Sequence, residues 1–113
     1  VDACREKGIL AFGNVNDMNK EENGKDVVVT SALWHMESAI NHAIDLTKKG
    51  SFKAEEYHSW TMMAKGGASL APYYEFDKKI NSKVKGQIKA LAKNITKGKF
   101  TVEIIDSEPK STF

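Results

Sequence analysis

With 113 residues, 41% hydrophobic and 28% charged, the sequence has the size of one globular unit or a piece of a larger one. Seventeen basic residues against fifteen acidic ones leave a formal charge of +2, short of the basic excess of a nucleic-acid domain, so nucleic acid is not an expected partner. The single cysteine, Cys4, excludes an internal disulfide and a cysteine-rich zinc site.

Ala3 to Lys7, stopped by Gly8, reads as the end of a helix, which implies sequence upstream of Val1. Cys4 follows small residues, as a lipid-modified cysteine does, but no basic and apolar leader precedes it, and it reads as a small apolar helix residue. Ile9 to Gly13 is a short apolar run, expected to be a buried parallel strand. The polar stretch Asn14 to Lys25 has no period and reads as a loop. Asp26 to Ser31, with Val27, Val28, Val29 and Thr30, is expected as a second buried strand. Ser31 is the kind of residue that caps a helix, and Leu33, Met36, Ile40, Ala43, Ile44 and Thr47 form a helical face closed by Lys48, Lys49 and Gly50. Glu55 to Met63, carrying Tyr57, Trp60 and Thr61, reads as a strand broken by Gly66 and Gly67. Ala68 to Ala71 is a short extended piece ended by Pro72. Ile80, Val84, Ile88, Leu91 and Ile95 mark a further amphipathic helix, and Phe100, Val102 and Ile104 alternate as a last strand before a frayed tail from Ser107. The expected fold class is α/β, a mainly parallel sheet with flanking helices.

Little in the chain supports catalysis. His35 and His42 are two helical turns apart, too far to chelate one ion, and the loop from Asp17 lacks the glycine and the closing acid of a calcium loop. No phosphate-binding glycine loop and no nucleophile elbow occur. Lys83, Lys85, Lys89, Lys93 and Lys97 read as a solvated outer helix face. No enzyme, metal or cofactor is therefore expected. Ligands of open α/β sheets bind beyond the carboxyl ends of strands, where Asn14, Asn16 and Asp17 follow the first strand and Trp34 follows the second. Asp17 offers a carboxylate to ligand hydroxyls, and Trp34 a flat face to a ring.

These segments resemble the basic membrane protein family, the purine-nucleoside receptors of ABC importers. Ala11 to Met18 is similar to the family's Gly-x-Asp-Ser-Asp-Gln block, and Val29 to Trp34 to its Leu-Thr-Ser-Val-x-Lys block. Lys49 to Phe52 resembles its Asp-Gly-x-Phe/Trp turn, and Gly67 to Tyr73 its Gly-Val-Gly-Leu-Ala-Pro-Phe stretch. The resemblance implies the last third of a type I periplasmic-binding fold, with residues 1–113 contributing to both lobes. It implies an extracytoplasmic, lipid-anchored solute-binding protein that hands a purine nucleoside to an ABC permease. Val15 and Trp34 stand where the family has an acid and a lysine, so a purine-like ring with uncertain ribose contact is the expected ligand. The alternative is a ligand-sensing domain of a transcription regulator or membrane receptor reusing the fold. For the piece on its own, exposed strand edges imply a dimer or a swapped assembly.

Overall fold

The computed structural model of the chain describes residues 1–103 and 107. Three α-helices, three strands and four short 3-10 turns follow in the order α1 (Asp2–Glu6), β1 (Ala11–Val15), a turn at Met18–Lys20, β2 (Val28–Trp34), α2 (Met36–Lys48), turns at His58–Thr61 and Met63–Lys65, β3 (Ala68–Leu70), a turn at Tyr74–Phe76, and α3 (Ser82–Thr96). This is a small α/β fold around one three-stranded sheet of order β1-β2-β3.

The sheet is mixed. β1 runs parallel to β2, as expected, but β3 pairs with β2 antiparallel. This corrects the expectation of a mainly parallel sheet. The connection holds α2 and is long enough for a parallel crossover. After α2, however, the chain returns through two 3-10 turns and Gly66 in the left-handed conformation (φ 77°), and so enters the sheet from the carboxyl end of β2. The third segment expected as a strand, Glu55 to Met63, is loop and 3-10 turn. Its aromatic residues pack on α2 instead, with the Trp60 ring stacked on His42 at 3.9 Å between centroids. Residues 100–103 form no strand either, while Ile104 and the tail beyond Ser107 lie outside the described residues.

The core is narrow. Val27, Val28, Val29, Ala71 and Phe76 are the buried apolar side chains among the described residues. The run Ile9 to Phe12 is not buried: Ile9 and Leu10, ahead of β1, and Phe12, within it, are exposed, so the sheet face from which Phe12 projects is uncovered there. The apolar face of α2 is also uncovered at Met36, Ile40 and Ile44. The radius of gyration is 17.6 Å, against about 13 Å for a compact domain of this length.

Candidate ligand-binding site

β2 runs three residues further than its sequence suggests. Ser31 lies inside the strand, 1% exposed, and does not cap α2. His35 takes the capping position, and its ring shares a hydrogen bond of 2.7 Å with Ser69 Oγ. The strand therefore delivers Ala32, Leu33 and Trp34 beyond the buried stretch.

Pairing and pleat assign the faces. Asn14 pairs with Ala32, and Ala32 with Leu70; Trp34 pairs with Ala68 one row further on. Alternation puts these residues on one face of the sheet and Gly13, Ser31, Leu33 and Ser69 on the other. The first face is open: Asn14, Ala32, Leu70 and Trp34 are all exposed, Trp34 by 57%. A cavity of about 370 Å³ lies beside Trp34, lined also by Met36, Thr61, Gly67 and Ala68. That is within the range of small-molecule pockets, roughly 300–1,000 Å³.

Two bonds close the cavity wall. His35 N–H donates to the Gly67 carbonyl at 2.9 Å, and Ser38 Oγ donates to the Lys65 carbonyl at 2.6 Å. Gly67 is buried where a Cβ would come within 2.2 Å of the Trp60 carbonyl oxygen, so only glycine allows this approach.

The second face carries the loop after β1. Met18 N–H donates to Ser31 Oγ at 3.1 Å, and Gly13 makes room, since a Cβ there would lie 2.2 Å from that oxygen. Val15 enters this loop with φ 73°, a conformation β-branched residues rarely adopt. Asp17 accepts a hydrogen bond at Oδ2 from the Tyr74 hydroxyl, and Lys20 Nζ stands 3.4 Å from the same oxygen. The Asp17 bond favours the neutral phenol and raises the Tyr74 pKa above its ordinary value. Tyr74, followed by Asp17, raises that of Lys20. Asp17 Oδ1 is buried without a hydrogen-bond partner. Asn16 donates from Nδ2 to Glu21, and the Asn14 side chain accepts from Val15 N–H at 3.0 Å.

The four residues singled out by sequence thus divide. Asn14 and Trp34 share the open face, while Asp17 and Asn16 sit on the loop that folds over the other. Tyr74 and Gly67 were missed. Their roles depend on contacts with Asp17, 57 residues away, and with the backbone at Trp60, which leave no local pattern. Among the described residues no three His, Cys, Asp or Glu side chains are grouped to hold a metal, and no helix is long and apolar enough to cross a membrane.

No family model matches the chain, and no curated protein matches it. Among solved structures it is similar to one described as the crystal structure of a transcriptional activator of the comK gene from Bacillus halodurans, with a TM-score of 0.65 and 20% sequence identity. The match covers 88% of this chain and 33% of that one, so the chain spans about a third of the neighbour's length. This finding corrects the resemblance to basic membrane proteins. With it go the solute-binding function, the lipoprotein character, the ABC permease partner and the exclusion of nucleic acid, since the neighbour is an activator of transcription. The blocks misled because several of their residues answer to the fold: Gly13 yields to Ser31, Thr30 Oγ1 bonds the Ala71 carbonyl at 2.7 Å, and Gly67 yields to Trp60. What the neighbour and this chain share is the fold.

Proposed function

We propose that the chain is part of the ligand-sensing domain of a transcription regulator, built on a type I periplasmic-binding fold, which acts by binding rather than turnover. The cavity beside Trp34 carries this reading. It opens at the carboxyl end of β2, on the side of its antiparallel neighbour β3, and ligands of open α/β sheets bind beyond the carboxyl ends of strands. The fold likeness to a transcriptional activator supports the regulatory half.

The ligand is a small flat heterocycle with a polar edge. Trp34 offers it a ring face, and such stacking adds about 1 kcal/mol beyond burial. Asp17 lies over the other face with Oδ1 buried, outside the lining of this cavity, and is not assigned a ligand contact. Asn14, on the same open face as Trp34, is the nearest of the other candidates to offer a polar contact.

In this reading residues 1–113 belong to a longer polypeptide. The open sheet face, the bare stripe of α2 and the excess radius of gyration are then surfaces that the remainder covers. Helix stripes and sheet faces of α/β layers normally bury one another.

The test is a calorimetric and fluorescence titration of the chain with free nucleobases, nucleosides and sugars. Saturable binding of a flat heterocycle, absent for sugars and lost in Trp34→Ala, is the expected result. Unchanged affinity in Trp34→Ala, or no binding by any ring compound, would overturn the ligand assignment.

A further inference from the structure

Charge is segregated along this chain. Residues 78–102 hold eight lysines and no acid, although the whole chain has a net charge of only +2, so the rest is net negative. Four of the eight, Lys83, Lys85, Lys89 and Lys93, are on α3, and Lys97 is its C-cap. At 3.6 residues per turn, Lys83, Lys89, Lys93 and Lys97 fall within an arc of about 120°. All four are exposed, and among the described residues none is in an ion pair. Lys85 points elsewhere: its Nζ is held at 3.0 Å by the Asp77 carboxylate and by the Asp77 carbonyl.

A face that serves solubility alone usually mixes signs, because opposite charges four residues apart support the helix and like charges there destabilise it. α3 instead places Lys89, Lys93 and Lys97 at successive four-residue steps. Between the lysines the arc holds only Ser82, Gly86 and Ala90, and a Cβ at Gly86 would meet nothing within 4 Å. A long anion can therefore approach the helix backbone closely. From Lys83 to Lys97 the rail is about 21 Å long, which matches about six phosphates of one DNA strand at 3.4 Å each.

We propose that this face of α3 contacts the phosphate backbone of duplex DNA, without reading its sequence. The choice of DNA as the anion rests on the regulatory reading above. A lipid surface fits less well. Membrane-lying helices press an apolar stripe into the bilayer, usually with aromatic residues. α3 has no aromatic residue, and of its apolar stripe Ile88 and Ile95 are half-buried while Val84 and Leu91 are exposed, so vesicle binding is the direct check on a lipid surface.

Four phosphate contacts give a distinct salt dependence. The logarithm of the binding constant should fall with the logarithm of salt concentration at a slope of about −3.6, or about 100-fold between 50 and 200 mM. The experiment is a fluorescence-anisotropy titration of a labelled duplex with the chain at several salt concentrations, with phosphatidylglycerol vesicles as a parallel arm. Lys89→Gln/Lys93→Gln should lower the slope by about 2 and weaken binding at 50 mM, while Lys85→Gln should leave both unchanged. Circular dichroism confirms that the variants stay folded. No duplex binding at 50 mM, a slope unchanged in the double variant, or binding to vesicles alone would overturn the proposal. The ring-compound titration separates the two readings: ligand binding without DNA binding rejects this face alone, and DNA binding without ligand binding rejects the sensing site alone.

Discussion

The two halves of β2 live in different surroundings. Val28 to Ser31 is buried on both faces, with Val28 fully enclosed, while Ala32 to Trp34 is largely open on the face that carries Trp34. One strand thus anchors the sheet with its first four residues and presents a binding surface with its last three. Such a division lets the exposed half change without unfolding the buried half, and three substitutions test it.

The largest effect should come from Gly13→Ala. The new methyl group would collide with Ser31 Oγ, deep in the anchoring half, and would disturb the Met18–Ser31 bond. Overpacking of this kind costs about 1–3 kcal/mol, a large share of the stability of so small a core, and denaturant unfolding measures it. A cost near zero would mean that the anchoring half is looser than its burial implies.

Glu75 gives an intermediate effect that depends on pH. Its carboxylate accepts from its own backbone N–H, from Asp26 N–H at 2.8 Å and from Asn19 Nδ2 at 3.1 Å, and these bonds lower its pKa. A lowered folded pKa stabilises above the ordinary carboxylate range, and that contribution is lost as pH falls through the folded value. Glu75→Gln should therefore be less stable than the parent at neutral pH, with the gap closing towards pH 3. Thermal midpoints across that range provide the check, and a constant gap would contradict the assignment.

Trp34→Ala should be the mildest for stability. Its side chain is more than half exposed, so the loss should stay under about 1 kcal/mol. A larger cost would show that Trp34 anchors the sheet, and the contrast between the halves would disappear.

What the sequence disclosed follows the same division. Val27 to Thr30 is legible because four adjacent β-branched residues suit only an enclosed strand. α3 is legible from its apolar period; its cap, Asn81, whose side chain accepts from Lys83 N–H, was not singled out. The exposed half of β2 was misread as a helix start, since Ser31 is a capping residue by type and Leu33 falls in phase with the α2 stripe. Local preference cannot distinguish a serine that caps from one that packs beneath Gly13. Tyr57, Trp60 and Thr61 suggested a strand by the same preference, but stacking on His42 outweighed it. Of the candidate site, the strand-end position of Asn14, Asp17 and Trp34 was legible. Their division between two faces was not, because it depends on the pairing register.

The open outline of the molecule, with extents of 54 × 34 × 29 Å, has a practical consequence for work in solution. A 12.5 kDa particle of this shape carries more friction than a sphere of equal mass. It should leave a sizing column early, where globular standards place a heavier species, and sediment slowly, as a lighter sphere would. Stoichiometries of its complexes with ring compounds or DNA are therefore best taken from light scattering, which weighs the particle, rather than from mobility, which measures its drag.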